Sequence, residues 1–198
     1  MRVLVVYAHP CPESFTAAIR DRALASLAAA AHETRLVDLY AERFDPVLSA
    51  DERRAYYTPG ANEAGREEHL AALRWAEALV FVYPTWWYGP PAMVKGWLDR
   101  VWVPHATFRM PEGLKPLGRV LAEIRFLVVV TSLGSPRWHW WLVGMPGRRA
   151  LFAGLSPLCA PRCRKLFLAH HGMDRSTPVA REAFLAKVER RLGSLALR

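Results

Sequence analysis

Five short apolar runs recur along the chain, with helical periodicity in the stretches between them. The runs are rich in valine or in other β-branched and aromatic residues. They are Arg2–Tyr7, Thr34–Leu39, Leu79–Tyr83, Arg125–Thr131 and Arg164–Ala169. Near-continuous apolar runs of this length are typical of parallel strands buried on both faces. The alternation therefore predicts an α/β fold, in which helices cover both faces of a five-stranded parallel sheet.

The helical stretches are expected to pack one apolar side against this sheet. Helices are predicted over Phe15–Ala30, Pro90–Trp102 and Pro178–Leu195, and another starts near Arg66. Their apolar residues recur three and four positions apart, which places them on one helix face. The segment 40–66 contains prolines and is predicted to be irregular. Neither a linker nor a repeat interrupts the pattern, so we expect one domain over residues 1–198.

The composition is that of an ordinary globular protein. Of 198 residues, 52% are hydrophobic and 23% are charged, which excludes disordered and fibrous classes. The apolar runs fall short of the ~18 residues of a membrane span, so stable membrane insertion is not expected. Three cysteines are too few for a disulfide scaffold and indicate a reducing compartment, so a cytoplasmic location is predicted. Cys159 and Cys163 are expected to be packing thiols, and no metal site is predicted.

The net charge of +9 is unevenly distributed. Residues 1–99 carry 10 basic and 13 acidic side chains, whereas residues 100–198 carry 17 basic and 5 acidic ones. This excess indicates either an anionic ligand or a solvated basic face. Because the arginines are scattered and no nucleic-acid-binding motif accompanies them, nucleic acid is not an expected partner.

The segments that follow three of the predicted strands are unusual in composition. If the strand order is 2-1-3-4-5, ligands bind at the carboxyl ends of the strands, where the order reverses. The loops at this edge are 8–16 (AHPCPESFT), 84–91 (PTWWYGPP) and 131–141 (TSLGSPRWHWW). The sequence therefore predicts a ligand site built from these three loops.

The first of these loops is suited to a phosphate. It has neither the GxGxxG nor the P-loop pattern, but it places Ser14 and Thr16 at the start of a helix. Free N–H groups and the positive end of the dipole favour an anion there. Ser14 could equally act only as a helix cap, and His9 could donate a hydrogen bond to the phosphate or have a structural role.

The second loop presents three consecutive aromatic residues, Trp86, Trp87 and Tyr88, between rigid prolines. Aromatic surface and fixed backbone N–H groups together suit a planar heterocycle with a polar rim. Aromatic residues at a strand end are also common in cores and interfaces.

Two stretches of this sequence resemble the flavodoxin-like NAD(P)H:quinone oxidoreductases. They are YAHPCPESFTAAI (7–19) and VFVYPTWWYGPPAMVKGWLDRVW (80–102). The resemblance implies a flavodoxin-like, doubly wound sheet of order 2-1-3-4-5, a tightly bound FAD or FMN, and a homodimer. It also implies that His9, Ser14, Phe15 and Thr16 hold the flavin phosphate and ribityl chain. The isoalloxazine would be lined by Pro84, Thr85, Trp86, Trp87 and Tyr88, and its pyrimidine edge closed by Thr131, Ser132, Leu133 and Gly134.

The sequence departs from the family in the segment that follows the third loop. Well-known members carry a tyrosine and a histidine there, whereas this chain reads SPRWHWWLVGM and offers His139 as the candidate for proton handling. Trp138, Trp140 and Trp141 are expected either to wall the acceptor pocket or to form a hydrophobic dimer seam.

The resemblance implies an enzyme that passes two electrons from NAD(P)H through the flavin to a quinone or a similar electron-poor acceptor. One shared pocket predicts ping-pong kinetics. The backbone N–H groups of 132–134, with His139 or Arg137, are expected to stabilise negative charge on the reduced flavin. The alternative is a redox-sensing regulatory subunit of a membrane transporter. A flavodoxin-type electron carrier and a serine hydrolase are disfavoured, because the chain lacks an acidic docking face and a GxSxG motif.

Overall fold

A five-stranded parallel sheet forms the centre of the molecule. The computed structural model describes residues 1–111, 113 and 116–195. The sheet strands are β1 (Arg2–Tyr7), β2 (Glu33–Asp38), β3 (Ala78–Pro84), β6 (Phe126–Ser132) and β7 (Arg164–His170). Their spatial order is β2-β1-β3-β6-β7, and every neighbouring pair is parallel. This is the predicted order 2-1-3-4-5, so the expected fold class is confirmed.

Helices cover both faces of the sheet, as predicted. They are α1 (Phe15–Ala29), α2 (Ala50–Ala55), α3 (Glu67–Trp75), α4 (Ala92–Val101), α5 (Arg137–Leu142), α6 (Pro146–Leu155) and α7 (Pro178–Gly193). Helices α1 and α7 bury apolar residues such as Ile19, Leu27 and Val188 against one face. Helices α3, α4 and α6 bury residues such as Leu73 and Trp97 against the other. Of the helices in the described ranges, none is long and apolar enough to cross a bilayer.

Four local features differ from the sequence-based expectation or were not predicted. A small antiparallel pair joins β4 (Phe108–Arg109) to β5 (Gly118–Arg119), and strands of two residues leave no periodic signal. Helix α4 begins at Ala92, two residues later than predicted, because Pro91 has the extended conformation of an N-cap residue. The tryptophan-rich segment between Ser132 and Gly147, for which no helix was predicted, contains helix α5. The predicted end of the last helix, Leu195, lies two residues beyond the last helical residue.

An ion-pair cluster ties the irregular segment 40–66 to the body of the protein. Glu52, which closes a capping box with Ser49 at the start of α2, accepts hydrogen bonds from Arg66 at 2.6 Å and Arg100 at 2.5 Å. Burial alone would raise the pKa of the Glu52 carboxyl, but the hydrogen bonds from Arg100 and Ser49 and the charge of Arg66 outweigh it and lower this pKa to about 2. The cluster anchors α2 to α4.

Candidate functional site

A cleft of about 560 Å³ opens at the carboxyl edge of the sheet, where the strand order reverses between β1 and β3. The three predicted loops meet in it, together with the turn that follows β7. The lining residues are His9, Ser14, Phe15, Thr16, Pro84, Thr85, Trp86, Trp87, Ser132, Leu133, Gly134, Met173 and Asp174. The structure thus brings together 11 of the 13 residues that the sequence assigned to a cofactor, and Tyr88 and Thr131 are adjacent to the lining.

The amino terminus of α1 forms one end of the cleft. Ser14 is its N-cap residue, and the Ser14 hydroxyl accepts a hydrogen bond from the Ala17 N–H at 3.1 Å. The N–H groups of Phe15 and Thr16 come too early in the helix to find a carbonyl within it. Both the capping role and the anion-binding role considered for Ser14 are therefore compatible, because the cap leaves two helix N–H groups at the cleft.

His9 lies between the first and second loops. Its Nδ1 accepts a hydrogen bond from the Cys11 N–H at 3.0 Å, so in the neutral ring the proton is on Nε2. The His9 ring lies 6.1 Å from the Trp86 ring, centroid to centroid. The first two loops are therefore in contact, and Nε2–H of His9 is a donor at their junction.

The second loop makes a tight turn with two aromatic residues at its tip. Trp86 and Gly89 exchange both backbone hydrogen bonds, at 3.1 and 3.0 Å. Trp87 and Tyr88 between them both have positive φ, 48° and 63°, which defines a turn normally built from Gly and Asn. Trp87 is 96% exposed. Bulky residues in this strained conformation are a feature of functional sites rather than of ordinary loops.

The segment after β6 braces this turn. The Gly147 N–H at the start of α6 donates to the Tyr88 carbonyl at 3.0 Å, and a Cβ on Gly147 would lie 3.0 Å from that oxygen. The Tyr88 hydroxyl lies 3.4 Å from His139 Nδ1. His139 is therefore not in the cleft lining but is bound to the aromatic turn that lines it, through a contact that the sequence did not indicate.

The third loop forms the floor of the cleft. Thr131 is fully buried, and its hydroxyl lies 2.8 Å from that of Thr85, which ties β6 to the end of β3. The Leu133 N–H donates to the His170 carbonyl at 2.8 Å. Burial and the nearby Arg181 charge lower the pKa of His170, so this residue is uncharged at neutral pH.

Two lining residues, Met173 and Asp174, were missed from the sequence. They lie in a short 3₁₀ turn after β7, where Met173 donates its N–H to the Leu133 carbonyl at 2.9 Å. A Cβ on Gly134 would approach an Asp174 carboxylate oxygen to 2.6 Å, so the glycine allows the two loops to meet. The available signal was their position at the carboxyl end of the fifth strand, the same edge as the other loops.

The backbone donors of the third loop require a correction. The N–H groups of 132–134 were expected to stabilise charge on the cofactor. The Leu133 N–H already donates to the His170 carbonyl. The Thr85 N–H, in the second loop, donates to the Ser132 carbonyl at 2.8 Å. The Gly134 N–H, which lies in the loop itself, donates to no backbone carbonyl among the described residues.

The three tryptophans proposed for the acceptor pocket have different environments. Trp140 is 5% exposed and stacks on Phe167 with ring centroids 5.0 Å apart. It packs inside the protein and does not line the main cleft of its own chain. Trp138 and Trp141 are each 68% exposed on α5. Both lie outside the lining of the cleft, which leaves them available for the alternative role in a dimer seam.

A doubly wound parallel sheet with a ligand cleft at its switch point defines the flavodoxin-like class of α/β proteins. Residues 1–149 match the model of the family described as having the flavodoxin-like fold, and the chain belongs to this family.

Relatives with solved structures match over nearly the whole chain. The Smu.1420 protein of Streptococcus mutans is 30% identical with a TM-score of 0.85, covering 98% of this chain and 100% of that one. The NAD(P)H:quinone oxidoreductase of Methanothermobacter marburgensis is 28% identical with a TM-score of 0.83, covering 99% of each chain.

A curated relative matches over a shorter range. The ribosyldihydronicotinamide dehydrogenase-like protein traD of Penicillium crustosum is 36% identical over 173 residues, which is 74% of this chain and 62% of the fungal protein. The chain spans less than two thirds of the length of the first curated relatives that it matches.

Proposed function

We propose that this protein is a flavin-dependent NAD(P)H oxidoreductase that passes two electrons to a quinone or a similar electron-poor acceptor. The observation that supports this most is the pairing of two unlike ends in one cleft. The α1 amino terminus at Ser14 suits a phosphate, and the Trp86–Gly89 turn presents aromatic surface in the same cleft. The names of the relatives, with NAD(P)H and quinone among their substrates, agree with it.

The residues present fit a flavin. The cleft volume lies within the range of small-molecule sites, and its walls combine aromatic rings with free N–H groups of Phe15 and Thr16. The close approach of Gly134 to Asp174 brings the third loop and the turn after β7 together at one side of the cleft. The cofactor is FAD or FMN; bound here, it would supply the hydride chemistry between the reduced nicotinamide and the acceptor.

The chain's own residues position the reactants and manage charge. The α1 N–H groups and His9 Nε2–H bind the phosphate and the ribityl chain. Trp86 and Trp87 provide the aromatic surfaces that would hold the planar rings of the cofactor and the substrate against one another. His139, held at Tyr88, orients the Tyr88 hydroxyl and can exchange a proton with it. One open cleft serves both NAD(P)H and the acceptor, so the first product must leave before the second substrate binds, which gives ping-pong kinetics.

Three further features belong to the same proposal. The protein acts as a homodimer, because Trp138 and Trp141 on α5 expose large apolar surfaces that a second copy would cover. Its compartment is the cytoplasm, consistent with three free cysteines. The whole chain, 1–198, acts as one domain around the five-stranded sheet.

The absorbance spectrum of the purified protein tests the cofactor. A flavin spectrum, followed by mass analysis of the group that heat releases, is expected. Initial rates with NADPH and a quinone should then give parallel double-reciprocal lines. Bleaching by NADPH without turnover would support the redox-sensing regulatory subunit instead, and a protein that binds neither FAD nor FMN would refute the proposal.

A matched pair of cap variants separates flavin binding from helix stability. Ser14→Ala and Thr177→Ala each remove the N-cap hydroxyl of a long helix, α1 and α7 respectively. Each should cost about 1 kcal/mol of stability. Only Ser14→Ala should also weaken flavin binding, because only α1 begins at the cleft. Equal flavin affinity in both variants would remove α1 from the site.

A further inference from the structure

A second cavity, of about 400 Å³, lies beside the edge strand β7. Helices α5 and α6 and the side chain of Lys187 from α7 enclose it. It is separate from the main cleft, although the two are neighbours. His171 lines this cavity, and Met173, two residues later, lines the main cleft. We call it the β7-edge cavity.

The β7-edge cavity is strongly cationic. Arg137, Arg148, Lys187 and His171 line it, and none of the described lining residues is acidic. Burial lowers the pKa of His171, and the positive charges of Arg137 and Lys187 lower it further. Arg137, Arg148 and Lys187 are all exposed, so solvent screens part of their mutual repulsion, and an anion between them would relieve the remainder.

One buried donor in the wall of the cavity has no acceptor in the described part of the chain. Trp140 lines the cavity and is 5% exposed, and its indole Nε1–H has no hydrogen-bond partner among the described residues. Buried N–H donors are nearly always satisfied in folded proteins. The Trp140 ring is held by stacking on Phe167, and its Nε1 is closed off from solvent, so the contacts available to a ligand in this cavity come from the basic side chains.

The amino terminus of α6 adds to the positive potential. This ten-residue helix begins at Pro146, next to Met145 and Arg148, which both line the cavity. Its N-cap residue provides no side-chain hydrogen bond, and its first turn contains no acidic residue. The Gly147 N–H at this helix end already donates to the Tyr88 carbonyl, so α6 contributes to the cavity through its dipole.

The size of the cavity indicates what carries the anion. A free phosphate would fill a small part of 400 Å³, and the remaining walls include Trp140, Trp141 and Phe167. Two arginines and a lysine match a dianion better than a single carboxylate, because guanidinium groups bind phosphate oxygens in pairs. We propose that the β7-edge cavity binds the phosphomonoester group of a small phosphorylated ligand. This inference does not depend on the flavin or on the proposed reaction.

Calorimetric titration of the protein, as purified, tests the site with three probes. They are 2′-AMP, inorganic phosphate and adenosine. We expect 2′-AMP and phosphate to bind and adenosine to bind at least about tenfold more weakly than 2′-AMP, since the phosphate carries the recognition. Arg148→Gln and Lys187→Gln should each weaken 2′-AMP binding by about fivefold or more, and by more when combined.

Arg162→Gln is the matched control. Arg162 is exposed at the opposite, amino-terminal end of β7, so the same loss of charge there should change the affinity by less than about twofold at physiological salt, where screening acts over ~8 Å. A similar loss of affinity in Arg162→Gln would overturn the proposal. So would the absence of binding by both phosphate probes at concentrations up to about 10 mM. Thermal unfolding of each variant verifies that it is folded.

Competition with NADPH identifies which compound carries the phosphate group that the site binds. If 2′-AMP competes with NADPH in an assay of NADPH binding, and Arg148→Gln weakens both, the 2′-phosphate of the dinucleotide occupies the site. If 2′-AMP binds without displacing NADPH, the site takes another phosphorylated compound. Both outcomes support a phosphomonoester site. Failure of the proposed flavin reaction would leave the titration unaffected, so the two can be distinguished.

Discussion

The hydroxyl oxygens of Thr85 and Thr131 lie 2.8 Å apart beneath the cleft. Thr85 directly follows β3, and Thr131 is the penultimate residue of β6. This hydrogen bond therefore joins the two neighbouring strands at the point where the aromatic turn leaves the sheet. The bond sets the distance between the second and third loops, and the cleft is open between them.

Removal of this bond should be non-additive. Thr85→Val leaves the buried Thr131 hydroxyl without its partner and should cost about 1–2 kcal/mol. The double variant Thr85→Val/Thr131→Val should cost no more than this single variant, because both substitutions remove the same bond. Urea unfolding measures these values, with the exposed Thr58→Val as a control near zero. Additive costs would show that the hydroxyls act independently.

A substitution in the aromatic turn should raise stability and lower activity. Trp87 has φ of 48°, a conformation that Asn adopts more easily than Trp. Trp87→Asn should therefore raise stability by about 1 kcal/mol while it lowers kcat/KM for the quinone. Trp138→Asn, which changes an exposed tryptophan in a helix, should give no such gain. A Trp87→Asn enzyme with unchanged kinetics would show that the exposed ring has no part in the reaction.

Two helical glycines should respond in opposite ways to the same substitution. A Cβ on Gly96 in α4 would overlap the backbone of Pro46, whereas a Cβ on Gly154 in α6 would meet nothing within 4 Å. Gly96→Ala should destabilise the protein by more than about 2 kcal/mol, because backbone must move. Gly154→Ala should stabilise it by about 0.5–1 kcal/mol through the higher helix propensity of alanine. Thermal unfolding distinguishes the two, and a stabilising Gly96→Ala would contradict the packing of α4 on segment 40–66.

The Glu52 cluster should make stability depend on pH in the acid range. The folded-state pKa of Glu52 is lowered to about 2, below the value of about 4.3 in an unfolded chain. The stabilisation is therefore fully present above this unfolded value and is lost as the pH falls through the folded value. Glu52→Gln should cost about 3 kcal/mol at pH 7, because Arg66, 3% exposed, loses its partner.

The comparison with a surface pair sharpens this prediction. Glu63→Gln removes the partner of Arg74 in a pair that is 27% and 47% exposed, and it should cost less than about 1 kcal/mol. Chemical denaturation at several pH values should show the difference between wild type and Glu52→Gln shrinking from about pH 5 to pH 2. A difference that does not change with pH would mean that the carboxylate charge is not what stabilises the cluster.

Much of the fold was predictable because its signals are local. The apolar run of β1 and the four-residue spacing of Ile19, Ala23 and Leu27 in α1 each follow from the periodicity of one element. The site was predictable in outline for a related reason. Parallel strands place all of their carboxyl ends at one edge, so the loops 8–16 and 84–91 had to meet there.

The details of the site were not predictable in the same way. Met173 and Asp174 were not assigned to the site, and they reach the cleft only because a 3₁₀ turn folds back after β7. Trp140 was grouped with its neighbours Trp138 and Trp141, although helix geometry turns its side chain to the other side. A short helix in a tryptophan-rich segment gives too few residues to establish a period.

The sequence by itself determined the parallel sheet, its helical cover and the edge at which the cleft opens, since each depends on residue patterns within one element or on the direction of the strands. Only the tertiary structure decided which side chains meet: His139 with Tyr88, Gly134 with Asp174, and Arg137 with Lys187 around the β7-edge cavity. These residues are far apart in the chain and follow no common period. Their proximity is set by how the helices pack on the sheet, which depends on the volumes and contacts of many residues at once.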